Sequence, residues 1–117
     1  NYLGKFADLI RNYLYHSNLG SISLSDELRA LQLYLELEKL RFEEDFSFEI
    51  LTEPDLSVQE VYLPTMLIQP YVENAIKHGL LHKMGKKCLK ISFSEQADTI
   101  VCQITDNGVG REKAAQI

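Results

Sequence analysis

Two short runs of this chain carry side chains whose types and spacing could do chemistry. In Glu73-Asn74-Ala75-Ile76-Lys77-His78-Gly79, the residues Asn74, Lys77 and His78 stand at i, i+3 and i+4. That spacing puts them on one face of a helix. An Asn side-chain oxygen on a rigid helix can supply one ligand to a hard cation such as Mg²⁺, which keeps several waters and phosphate oxygens in its shell. A lysine nearby neutralises phosphate as a point charge. The second run is Asp106-Asn107-Gly108-Val109-Gly110. A carboxylate there can accept a hydrogen bond from an amine such as that of adenine, and glycines allow close approach of a ligand or positive φ. Each run also has a plain alternative. The first reads equally as a solvated helix face stopped by Gly79, and the second as a tight turn around Asn107-Gly108.

The elements that must position these residues follow from periodicity. From Tyr2 to His16, Leu3, Phe6, Ile10, Tyr13 and Leu14 recur at helical spacing, and Tyr2 and Leu9 widen the apolar face beyond what one neighbour covers. Asn18 to Ser23 forms a turn, and Ser25 is the expected N-cap of a second helix reaching Phe42, with Asp26 and Glu27 in its first turn. Its apolar rows hold Leu28, Leu31 and Leu35, while Glu36, Glu38, Lys39 and Arg41 are expected in solvent. Phe46, Phe48 and Ile50 alternate as a strand, and Val58–Tyr62 suggests another. Pro64 fits the first turn of a third helix, which Pro70 would kink and Gly79 would end. Leu89, Ile91 and Phe93, then Ile100, Cys102 and Ile104, predict a hairpin turning near Gln96 and Ala97. A further helix is expected from Arg111. The order of elements implies an α+β fold, a mixed sheet with helices on one face.

Composition narrows the function classes. The 117 residues are 45% hydrophobic and 25% charged, which suits a packed domain, and the net charge of −5 disfavours nucleic acid as a partner. Lys83, Lys86, Lys87 and Lys90 read as a solvated turn and strand edge. The two cysteines, Cys88 and Cys102, fall on the hairpin strands without facing each other squarely and are expected as reduced core thiols. No run approaches the ~18 apolar residues of a membrane span, so this segment is expected to make no direct membrane contact.

The two chemical runs together, separated by a two-strand hairpin, resemble the GHKL ATPase superfamily. The first is similar to the N box and the second to the G1 box of histidine kinases. The stretches Tyr34-Leu35-Glu36-Leu37-Glu38-Lys39-Leu40-Arg41-Phe42 and Leu63-Pro64-Thr65-Met66-Leu67-Ile68-Gln69-Pro70 leading into Tyr71–Gly79 are similar to LytS/YesM-type sensor histidine kinases. The likeness extends over nearly the whole chain. It implies an ATP-binding GHKL α/β sandwich in which Asn74 ligates Mg²⁺, Lys77 and His78 approach the phosphates or nucleotide, Asp106 binds adenine, and Gly108 and Gly110 shape the pocket. It further implies a homodimer, a response regulator partner of LytTR type, and a cytoplasmic segment of a membrane-anchored bacterial sensor kinase. By the same resemblance, residues 1–22 end the dimerisation helix region and residues 23–117 begin the ATP-binding domain, stopping before the lid.

Departures from the pattern sharpen the expectation. ATP-hydrolysing relatives such as gyrase carry a general-base Glu one turn before the Mg²⁺ Asn, where this chain has Pro70. Glu73 points about 100° away around the helix. Phosphoryl transfer to a protein side chain fits this better than free hydrolysis. The phosphoacceptor motif of the family is absent, so that histidine is expected upstream and no catalytic residue is assigned. His16 and His82 are expected as plain surface or loop residues. The alternatives are a dimerising pseudokinase and another GHKL protein kinase.

Overall fold

The computed structural model describes residues 3–4, 6–11, 20–42, 45–65, 67–80, 84–108 and 113–116. They form two compact units, one of Asn1–Glu43 with Ser57–Leu67 and one of Glu44–Leu56 with Ile68–Ile117. Together they hold helices and a mixed sheet, the α+β arrangement expected.

In the first unit, residues 3–4 and 6–11 are helical. Leu9 is buried, whereas Leu3 is 76% exposed, Phe6 46% and Ile10 41%. Tyr2, Tyr13, Leu14 and His16 lie outside the described residues. Strand β1 (Ser21–Ser23) leads directly into helix α1 (Leu24–Phe42). The cap is Ser23 rather than the expected Ser25, its Oγ accepting the Asp26 N–H at 3.1 Å. The preceding two orphan donors of the helix are also satisfied. The Leu24 N–H reaches the Val61 carbonyl at 2.7 Å and the Ser25 N–H the Val58 carbonyl at 2.8 Å. That use explains why residues 58–60 form a turn instead of the expected strand. The strand is β3 (Tyr62–Pro64), antiparallel to β1. Pro64 ends it, where a missing donor is tolerated, and does not open a helix. Along α1, Leu24, Ala30, Leu31, Leu35 and Leu37 are buried. Glu38, expected in solvent, is buried with Glu27, while Leu40 is exposed.

The second unit is a four-stranded sheet in the order β2-β4-β5-β6. Strand β2 (Phe46–Thr52) is parallel to β4 (Lys87–Gln96), which pairs antiparallel with β5 (Thr99–Asp106). A parallel pair needs a crossover connection, and the connection here includes helix α2 (Gln69–Asn74) and the π-helical turn Ala75–Leu80 that continues it. Pro70 sits in the first turn of α2, where its absent N–H has no partner to lose, so no kink arises. The hairpin turns at Ala97 and Asp98, one residue later than expected, with φ of 49° and 68°. Positive φ at both positions matches the right-handed twist of the flanking strands. Cys102 is buried opposite Phe93, while Cys88 is exposed, so only one of the two is a core thiol, and neither is in a disulfide. Strand β6 (Lys113–Gln116) pairs with β5 where a helix was expected from Arg111. The open edge of β5 offers backbone partners, and pairing with it overrides the helix preference of the Lys-Ala-Ala-Gln run. Val72, Ala75, Ile76 and Leu80 from the helical segment are buried, as are Leu89, Ile91, Phe93, Ile100, Cys102 and Ile104 from the sheet. The π-helical turn lies against β5.

Candidate functional site

Strand parity positions the first site residue. Ile100, Cys102 and Ile104 point alternately into the core, so Asp106, next in the same phase, ends that buried row. The register Phe48–Leu89–Asp106 across β2, β4 and β5 sets its carboxylate level with two apolar side chains. A carboxylate at the end of such a row needs donors. The Gly108 N–H donates to its Oδ1 at 2.8 Å, closing a local turn.

The helical segment meets this corner at Gly79. A Cβ built on Gly79 would stand 2.8 Å from Asp106 Oδ1, and a Cβ on Gly108 would overlap the Gly79 carbonyl. Neither glycine has φ in the left-handed region. Gly79 is therefore inside the π turn and not the expected helix stop, and Gly108 answers to close backbone approach. Two glycines let the Asn74–Gly79 run and the Asp106–Gly108 loop touch, although they are far apart in sequence. Asn74 ends α2 at the α-to-π junction, and Lys77 and His78 lie within the π turn. All three are exposed. Single-turn π segments recur at functional sites because they re-aim side chains within a helix. Gly110 and His82 lie outside the described residues.

Asn107 has a part that sequence reasoning missed. Its Oδ1 accepts the Cys88 N–H at 2.8 Å, its Nδ2 donates to the Lys86 carbonyl at 3.2 Å, and its own N–H donates to the Cys88 carbonyl at 3.2 Å. The side chain thus extends the ladder past the end of β5 and clamps the start of β4. Its place directly after a strand, next to a glycine, is the signal that could have shown this. A cavity of about 430 Å³ opens at this end of the sheet, lined by Phe48, Leu89, Lys90, Asp106 and Asn107 among others, but not by Asn74, Lys77 or His78. Among the described residues, no three His, Cys, Asp or Glu side chains converge on a metal site.

The histidine kinase family profile matches residues 1–46. The sensor histidine kinase BtsS of Escherichia coli K12 is 35% identical over 86 residues, 74% of this chain and 15% of BtsS. The sensor protein LytS of Oceanobacillus iheyensis is 31% identical over 111 residues, 95% of this chain and 19% of LytS. LytS of Staphylococcus haemolyticus is 29% identical over 106 residues, 91% of this chain and 18% of that protein. The chain belongs to the LytS-type sensor histidine kinases. This LytS-type chain spans less than a fifth of the length of these relatives. Among its described residues, no helix is long and apolar enough to cross a membrane.

Proposed function

We propose that this LytS-type chain supplies the first half of a Mg²⁺-ATP site, in a kinase that phosphorylates its own histidine and passes the phosphoryl group to a response regulator. The observation that carries the reading is the apposition of Gly79 with Asp106 and Gly108, because it joins the Asn74–Gly79 run to the glycine loop. The donor set suits the nucleotide. Asn74 offers an exposed oxygen for Mg²⁺, whose shell phosphate and water oxygens would complete. Lys77 and His78 face solvent one residue apart, where phosphate charge could meet them, and Asp106 keeps acceptor capacity for the adenine amine. The resemblance adds Gly110, two positions after Gly108 in the sequence. All of these residues lie in the second compact unit.

The transfer would form an imidazole nitrogen–phosphorus bond as the bond to the bridging oxygen of ADP breaks, and positioning and charge neutralisation would supply most of the acceleration. Residues 1–22 would end the dimerisation helices of a homodimer, with Leu3, Phe6 and Ile10 exposed, and residues 23–117 would begin the ATP-binding domain. A LytTR-type regulator and a cytoplasmic position beside a membrane anchor belong to the same reading. The test uses the whole gene product carrying this chain, incubated with γ-labelled ATP and Mg²⁺. Acid-labile, base-stable label on a species of dimeric mass by light scattering is expected, with label lost in Asn74→Ala. Label that persists in Asn74→Ala, or no label at all, would count against the kinase reading.

A further inference from the structure

Gly79 has no part in the chemistry above, yet it is where the helical segment comes closest to the carboxylate assigned to adenine. Conformation does not call for glycine there, since φ is outside the left-handed region; space does. A Cβ at position 79 would lie 2.8 Å from Asp106 Oδ1 and 3.0 Å from both Cγ and Oδ2. Ordinary contacts between heavy atoms open at roughly 3.5 Å. The backbone at Gly79 cannot retreat cheaply, because Gly79 and Leu80 are buried and the Gly79 carbonyl is already in tight contact with Gly108. The group that gives way is the Asp106 side chain, which would lose its 2.8 Å bond from the Gly108 N–H and change the direction in which it accepts.

We propose that Gly79 is a positioning residue for the nucleobase, its missing side chain holding the Asp106 carboxylate where it accepts the adenine amine. The inference rests on the assignment of Asp106 to adenine made above. Its consequence is selective. Adenine presents an amine donor at the position where guanine presents a carbonyl acceptor, so a displaced carboxylate weakens the preference for adenine before it weakens the hold on the triphosphate. A purely structural role for Gly79 would weaken both nucleotides alike.

The experiment is competition of ATP and of GTP, each with Mg²⁺, against a fluorescent ATP analogue on the whole gene product. Gly79→Ala is expected to cut the ATP-over-GTP preference on the order of tenfold, the size of one hydrogen bond to a charged group. Asp106→Asn is expected to do the same, and the double variant to lose nothing more. Gly79→Ala with the preference intact, or with equal loss for both nucleotides, overturns the proposal, and the assignment of Asp106 survives if Asp106→Asn still loses the preference. Asp106→Asn with the preference intact overturns both. Denaturant melts keep the question open to refutation if the alanine variant folds poorly. The cost of Gly79→Ala should shrink in an Asp106→Ala background, where the crowding carboxylate is gone, and an equal cost in both backgrounds overturns the contact.

Discussion

Glu27 shows how one residue departs from the role its position suggests. Two places after the expected cap, it reads as a first-turn carboxylate favoured by the helix dipole. In the structure it is 2% exposed, and burial pushes its carboxyl up from 4.5 to about 7. Between about pH 4.5 and pH 7 the folded chain keeps a proton on Glu27 that the unfolded chain has lost. Its contribution is therefore full below about pH 4.5 and declines as pH rises through 7, by roughly 3 kcal/mol in all. Glu27→Gln removes this dependence, so urea midpoints of the variant should be flatter across that window and higher than wild type at pH 8. Equal slopes in the two proteins would mean that Glu27 is not the group responsible. At the same scale, the residues proposed for the nucleotide site stand out in the sequence by type and spacing, whereas the need for glycine at position 79 does not. That need comes from a side chain 27 positions later, brought near by the fold.

At the scale of elements, sequence periodicity identified helix α1, strand β2 and the β4–β5 hairpin, because their apolar rows are long enough to average over single exceptions. Boundaries were less legible. Ser23 and Ser25 are both good caps, and the choice fell to Ser23 because the carbonyls of Val58 and Val61 take up the next two donors. Pro64 and Pro70 are both allowed in a first turn, and only the pairing of Tyr62–Pro64 with Ser21–Ser23 decides between them. The parity of β5 already aimed Asp106 at the core face, a signal present in the sequence. The hairpin turn offers a direct test. Asp98 holds φ of 68°, a conformation that costs L-residues on the order of 1 kcal/mol and glycine little. Asp98→Gly should raise the thermal midpoint by a few degrees, which calorimetry would measure. A lower midpoint would show that Asp98 makes a compensating bond at the turn.

For the whole molecule, the order of elements and the likeness to LytS and BtsS agree on family, and the structure places the two chemical runs against each other through Gly79 and Gly108. Neither run carries much weight alone, since each has a plain structural alternative. Their apposition in one compact unit is what the nucleotide reading stands on. The most direct test is calorimetric titration of Mg²⁺-ATP into the whole gene product, wild type beside Asp106→Asn. The nucleotide reading predicts saturable binding by the wild type and a loss of about tenfold or more in the variant. Absence of binding by the folded wild type, or unchanged affinity in Asp106→Asn, would contradict it.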